Sequence, residues 1–170
     1  MVTLSDKASA GQRADESGPV LSELLQALGA EVEESIVMPD DQRQLEVVLM
    51  TLADVNHVDL VLTTGGTGLS PRDRTPEATR VVIDRLAPGF VEAMRARSLA
   101  VTPHAMLSRA VAGVRGRTLI INLPGSPKAC REHFEVIAPA LDHAVATLRG
   151  EASECAASEE RDPAQPEDLA

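Results

Sequence analysis

Leu60-Val61-Leu62-Thr63-Thr64 runs straight into Gly65-Gly66-Thr67-Gly68, and Thr118–Leu123 runs in the same way into Pro124-Gly125-Ser126-Pro127. The first run is too short and too evenly apolar for a surface helix, so it reads as a buried strand, and Thr118–Leu123 is the strongest strand in the chain. Each glycine turn leads to helix-start residues, Thr75-Pro76-Glu77 in the first case and Ser126-Pro127 in the second. A glycine has no Cβ, so its N–H can come close to a ligand, and a helix N-terminus adds partial positive charge. With Arg72, Arg74 and Lys128 beside them, the two turns together read as a site for something anionic.

The segments between these turns alternate in character. Met1–Leu4 reads as a strand running into a polar loop, Ser5 to Glu16. Gly18-Pro19 opens a helix with Val20, Leu21, Leu24, Leu25 and Leu28 on one stripe, ended by Gly29. Val32 to Met38 is a modest strand. Pro39-Asp40-Asp41 then caps a helix carrying Leu45, Val48, Leu49 and Leu52 at helical spacing, with either aspartate able to serve as the cap. Further helices are expected over Pro76 to Leu86, Phe90 to Leu99 and, briefly, Pro103 to Ala110. Residues 112–117 look like a turn between short strands. The last helix spans Pro127 to Leu148, with Phe134, Ile137, Leu141, Val145 and Leu148 inward and Pro139 expected to break or kink it. Strands alternating with helices predict an α/β fold: a single three-layer domain, residues 1–150, with a mainly parallel sheet flanked by helices on both faces. Ligands of such sheets gather beyond the strand C-terminal ends, where both glycine turns and Asp40 fall.

Composition narrows the partners. Of the formal charge of −10, the segment from Glu151 onward carries −6, with seven acids against Arg161 alone; residues 1–150 carry −4. Residues 151–170 are also rich in Ala, Ser and Pro, and are expected to be a disordered acidic tail. An acidic chain with no Trp, no Tyr and only Phe90 and Phe134 lacks both the basic footprint and the stacking platforms of a nucleic-acid binder. No run approaches the ~20 apolar residues of a membrane span, and no signal peptide opens the chain. Cys130 and Cys155 are too few for a disulfide framework, so the expectation is reduced thiols in the cytoplasm. Cys130 near a helix start could have a lowered pKa, but a half-buried packing role is the simpler reading. His57, His104, His133 and His143 show no metal-ligand spacing.

Each feature has a plain structural reading as well. The Gly65–Gly68 string is neither a Walker loop nor a GxGxxG fingerprint and could be a tight turn. Ser126 could be only a helix cap, Asp73 only a loop stiffener, and Arg72 and Arg74 only solvated charges. The combination is more specific. Thr63-Thr64-Gly65-Gly66-Thr67-Gly68-x-x-Pro71-Arg72-Asp73-x-Thr75-Pro76-Glu77-Ala78-Thr79, followed by Asn122-Leu123-Pro124-Gly125-Ser126-Pro127, resembles the molybdenum-cofactor biosynthesis family of molybdopterin adenylyltransferases, MoaB-type proteins and gephyrin-like domains. Residues 5–11, Pro39-Asp40 and Ala105-Met106-Leu107-Ser108-Arg109 fit the same pattern, so the resemblance spans about residues 2–149. It departs at the ends: the first strand starts unusually late, which suggests a missing N-terminal piece or an early-truncated strand, and the acidic tail matches nothing in the family.

The resemblance implies a domain, usually a homotrimer, that binds molybdopterin and ATP and, with Mg²⁺, transfers AMP to the pterin's terminal phosphate, releasing pyrophosphate. Carried over by position, Asp40 and Asp73 are the catalytic and metal-binding acids. Gly65, Gly66, Thr67, Gly68, Pro124, Gly125 and Ser126 bind the nucleotide, and Ser5, Asp6 and Ser108 bind the pterin. A molybdenum insertion enzyme is an implied partner. The same fold also serves as a non-catalytic pterin-binding scaffold, or as one domain of the insertion enzymes. Retention of Asp40 and Asp73 favours catalysis, and the lack of a further domain disfavours the last. The attacking phosphate monoester, with a second pKa of about 6, is mostly dianionic at pH 7 and needs no general base. The two aspartates therefore fit metal-holding or positioning roles better than proton transfer.

Overall fold

In the computed structural model, residues 1–151 are described, and they build one six-stranded sheet with helices on both faces. The tail beyond Glu151, including Cys155, lies outside the described residues. The strands are β1 (Val2–Leu4), β2 (Ile36–Met38), β3 (Leu60–Thr64), β4 (Arg85–Leu86), β5 (Ala112–Arg115) and β6 (Thr118–Leu123). The helices are α1 (Asp6–Ser9), α2 (Ser17–Ala27), α3 (Gln42–Asp54), α4 (Thr75–Val82), α5 (Pro88–Leu99) and α6 (Pro127–Arg149), with a 3-10 turn at Pro103–Leu107. The strand order is β2-β1-β3-β6-β5-β4. The first four of these are mutually parallel, while β5 runs antiparallel to both β6 and β4. The sheet is mainly parallel, as its alternating pattern predicts.

Two cores flank the sheet. Leu21, Leu25, Met94, Phe134, Ile137 and Leu141 of α2, α5 and α6 cover one face. Leu45, Leu49, Leu52, Ala78 and Val82 of α3 and α4 cover the other. β6 is buried along its whole length, as a strand covered on both faces must be. The two-residue turn Gly116-Arg117 closes the β5–β6 hairpin, with Gly116 at φ +56°, a conformation glycine adopts without penalty.

Four elements differ from the sequence expectation, each for a nameable reason. The strand expected over Val32–Met38 shrinks to Ile36–Met38, because its partner β1 supplies pairing only at Val2–Leu4. α4 stops at Val82 rather than Leu86. The β-branched Val81-Val82-Ile83 run gives way to extended backbone at Ile83, the Asp84 N–H donates to the Val114 carbonyl, and Arg85–Leu86 pairs with β5. The polar segment after β1 contains one helical turn, α1, capped by the Ser5 hydroxyl. The expected helix over residues 103–110 is a 3-10 turn ending at Leu107.

Pro139 does not break α6. Pro139 is exposed, and so is Glu135, the residue whose carbonyl would have received the missing N–H. Water can solvate that carbonyl, so the cost of the proline is small on this face.

Asn122 in β6 ties one helical layer to the sheet. Its Oδ1 accepts from the Val111 N–H (3.1 Å), and its Nδ2 donates to Thr63 Oγ1 (3.0 Å) on β3 and Thr79 Oγ1 (2.8 Å) on α4. Thr79 in turn donates to the Thr75 carbonyl at 2.9 Å. Every polar atom of this fully buried amide has a partner, which makes it rigid and costly to disturb. Asn122→Ala leaves the Val111 N–H unpaired and opens a small void. Its expected cost is about 3 kcal/mol. A fall in melting temperature of about 6–12 °C in a calorimetric scan checks this.

Candidate active site

Four loops leave the sheet at the C-terminal ends of β1, β2, β3 and β6, and the reversal of strand order between β1 and β3 puts a crevice there. The two glycine turns touch. In register, Thr64 pairs with Leu123, the Thr64 hydroxyl donates to the Pro124 carbonyl (2.7 Å), and the Gly65 N–H reaches Leu123 O (3.3 Å). A Cβ on Gly125 would stand 3.3 Å from the Gly65 Cα. Gly65 has φ +96° and a Cβ there would overlap the Leu4 carbonyl oxygen, so only glycine fits between β1 and the second loop. Thr75, at the first turn of α4, donates its hydroxyl to Gly65 O (2.9 Å) and its N–H to Gly66 O (3.2 Å). The carbonyls of the turn are thereby occupied. The amides of Gly66, Thr67, Gly68, Gly125 and Ser126 donate no hydrogen bond among the described residues.

The acids are arranged by their loops. Asp41, not Asp40, caps α3, with Oδ1 accepting from the Gln44 N–H at 2.9 Å. Asp40 is left to face Asp6: the Asp6 N–H donates to Asp40 Oδ2 (3.1 Å) while the Asp40 N–H donates to Asp6 Oδ1 (3.0 Å). Asp40 Oδ1 points toward the first glycine turn, 3.3 Å from where a Gly66 Cβ would stand. Arg72 bonds Asp6 in a fork, Nη2 at 2.7 and 2.8 Å and Nε at 3.1 Å. Asp73 Oδ2 accepts from the Ser70 N–H (2.9 Å) and would lie 2.9 Å from a Cβ on Gly68.

Charge follows from this placement. The bond from Arg72, then the Asp40 amide, holds the Asp6 carboxyl below the usual aspartate range. Asp40 goes the other way: partial burial pushes it up, and the like charges of Asp6 and Asp73 add to this against the Asp6 amide and Arg72. Asp6, Asp40 and Asp73 outnumber the one guanidinium among them. Among the described residues no three His, Cys, Asp or Glu side chains form a metal cage. Hard carboxylate oxygens short of a counter-charge, completed by substrate phosphates, nonetheless suit Mg²⁺, which binds through one or two carboxylates. Asp40 and Asp73 fit that role.

Other expected site residues are placed differently. Ser126 is the N-cap of α6, its hydroxyl accepting from the Ala129 N–H at 3.2 Å. Ser5 caps α1 and also receives Nη2 of Arg13 (3.1 Å). A cavity of about 200 Å³ lies between that loop and Gly125–Pro127, with Arg13 and Thr64 on its wall. Ser108 shares no hydrogen bond with Ser5 or Asp6 among the described residues. It sits before β5, its hydroxyl near the Ala110 N–H (3.4 Å) and its carbonyl bonded by Arg95. Cys130 is fully buried rather than half-buried, and burial pushes its thiol up despite the nearby helix start. Lys128 faces Glu132 at 3.8 Å. Arg13 and Arg109, absent from the sequence-derived site, both touch its loops. Arg109 directly follows Ser108 in a matching motif, which is the signal that could have found it.

Residues 1–143 match the family model described as a probable molybdopterin binding domain, and the chain belongs to that molybdenum-cofactor biosynthesis family. Its relatives include proteins named molybdopterin adenylyltransferase: 44% identical in Helicobacter pylori (88% of this chain, 86% of the relative) and 46% identical in Escherichia coli K12 (85% and 75%). It is also 40% identical to gephyrin of Dictyostelium discoideum, of whose length it spans 22%. Among solved structures, the molybdopterin biosynthesis enzyme MoaB of Thermus thermophilus superposes with a TM-score of 0.83 at 50% identity, covering 88% of this chain and 94% of that one.

The raised Asp40 carboxyl has a linkage consequence. A carboxyl whose folded pKa exceeds its unfolded value withdraws stability as pH rises through the folded pKa, and costs nothing below the unfolded one. Asp40→Asn should therefore melt higher than the parent at pH 7, with the difference closing as pH falls below the ordinary aspartate range. Melting curves of both proteins from pH 3 to 8 check the sign.

Proposed function

We propose that this protein is a molybdopterin adenylyltransferase that uses ATP and Mg²⁺ to form AMP-molybdopterin and pyrophosphate. The observation that carries this reading is the pair of touching glycine turns, with five backbone amides not otherwise used among the described residues, set beside an undercompensated acid group. Relatives bearing that activity in their names, at 44–48% identity over most of their length, support it.

In this reading the terminal phosphate of molybdopterin attacks the α-phosphorus of ATP, a P–O bond forms, and the bond to the pyrophosphate leaving group breaks. The nucleophile is already dianionic at neutral pH, so no side chain need take a proton. The burden is electrostatic and positional. Gly66–Gly68 and Gly125–Ser126 present N–H groups to phosphate oxygens, the donors that become worth more as charge shifts onto the leaving group. Asp40 and Asp73 would hold Mg²⁺, which supplies neutralisation of the triphosphate when bound. Arg13 bonds only the Ser5 hydroxyl and pairs with no carboxylate among the described residues, so it is the basic group available to the pterin phosphate beside Ser5 and Asp6. With no Tyr or Trp in the chain, adenine rests on aliphatic side chains and backbone.

We further propose a homotrimer that hands its product to a molybdenum insertion enzyme. Exposed Leu99, Val101, Met106 and Leu107, grouped at the end of α5 and in the following turn, offer apolar surface for assembly. Sedimentation at micromolar concentration should give three times the chain mass; a monomer would overturn the trimer.

Asp73→Asn tests the chemistry. The amide oxygen can still accept from the Ser70 N–H, so the fold should keep its melting temperature. AMP transfer should fall a hundredfold or more, about 2.7–4 kcal/mol for one lost electrostatic contact. Molybdopterin binding should survive. Parent protein that yields no AMP-molybdopterin from ATP, Mg²⁺ and molybdopterin under anaerobic conditions would refute the proposed activity.

A further inference from the structure

We infer that Arg109 is the positioning residue of this site: its guanidinium sets the shape of the Gly68–Asp73 loop and so aims the Asp73 carboxylate. The inference rests on the adenylyl-transfer reading for its kinetic consequence, but its structural content stands on contacts alone.

Arg109 comes from the segment before β5, remote in sequence from the loop, and makes four bonds there, one to each end of the loop and two to the residues that flank it. Its own N–H donates to the Thr67 carbonyl (2.9 Å), Nε donates to Gly68 O (2.7 Å), Nη2 donates to Asp73 O (2.5 Å), and Nη1 pairs with Glu77 in the first turn of α4. One planar fork thus spans both ends of a six-residue loop. Within it, the Asp73 N–H donates to Ser70 O and the Ser70 N–H donates to Asp73 Oδ2, both at 2.9 Å. The backbone of Asp73 is held by Arg109 and its carboxylate by Ser70, so the direction of the carboxylate follows the loop.

The alternative roles fit worse. All three guanidinium nitrogens are engaged and Glu77 already neutralises the charge, so Arg109 is not a free phosphate ligand, unlike Arg13. As a stabilising ion pair it is poorly built. Glu77 Oε2 is buried without a hydrogen-bond partner among the described residues, an arrangement that costs desolvation and returns little. Burial pushes Glu77 up, and the Arg109 bond, the Glu77 amide and the nearby charges of Arg109 and Arg74 together outweigh it and hold the carboxyl below the usual glutamate range. The pair makes sense as the anchor that fixes the fork in the plane of the two loop carbonyls. Lysine has no fork and cannot bridge Gly68 O, Asp73 O and Glu77 together.

The test uses Arg109→Lys and Arg109→Gln in the full chain, each with its melting temperature, alone and combined with Asp73→Asn. Amide hydrogen exchange under native conditions, without ligands, should show the Ser70 N–H of both variants exchanging at least tenfold faster, while amides of β3 and β6 keep their protection. In the AMP-transfer assay kcat should fall ten- to a hundredfold, with the KM for ATP changed less than threefold. In the Asp73→Asn background, adding either Arg109 change should lower kcat by less than threefold more, because both act through the same carboxylate. Unchanged Ser70 exchange, full activity in the Lys variant, or independent losses that multiply would each overturn the assignment. A parent protein without AMP transfer would instead refute the activity, and the Ser70 exchange alone would then decide whether Arg109 shapes the loop.

Discussion

The amide of Asn122 is the contact on which the rest of the architecture depends. A parallel sheet covered on both faces has no water to solvate a polar side chain in its central strand, so a single asparagine there must satisfy all its valences internally. It does so by reaching a neighbouring strand, the segment entering β5 and a helix on one face. Those bonds fix the height of β6 relative to β3 and of α4 relative to both. The two glycine turns emerge two residues beyond this level, at Gly65 and Pro124. Their closeness therefore rests on the buried network behind them as well as on the Thr64–Pro124 and Gly65–Leu123 bonds between the loops themselves.

Much of the layout was legible from local pattern. β3, β6, α3 and α6 announce themselves by unbroken apolar runs or clean helical stripes, because each buries against partners that the stripe itself demands. What failed was decided by distant pairing. Leu86 sits at helical spacing after Val82, but the backbone of Arg85–Leu86 found β5. Val32–Ser35 has strand character and no strand to lie against. The turn chemistry of the site was readable: Asp41 and Ser126 do cap helices, which frees Asp40 and leaves Ser126 its amide. The motif's resemblance pointed to Asp40 and Asp73, but no periodicity could tell that Arg109 would return to grip the loop carrying Asp73.

The distribution of positive charge is a second lesson in the limits of sequence. Arg72, Arg74 and Lys128 lie close to the glycine turns along the chain, and would be expected to form the anion site. Arg72 is exposed yet spent on Asp6 in a two-toothed pair, and Lys128 leans toward the next helical turn. Surface pairs of this kind add little stability, so the Asp6–Arg72 bond matters more for where it puts charge than for how firmly it holds. It leaves Asp40 without a guanidinium of its own and the backbone amides as the principal donors.

The contact of Gly65 with Gly125 carries a consequence for the order of folding. The two residues belong to turns sixty positions apart in the chain, and neither turn has the other's backbone to lean on until β3 and β6 have zipped in parallel. Parallel pairing over so long a loop is a late and slow event, since its closure entropy is spent before the ladder gives anything back. Earlier collapsed states, even with every helix formed, lack the crevice altogether. The phosphate ligand proposed for these turns would therefore bind the finished fold and nothing before it, and its occupancy would draw the last folding step to completion.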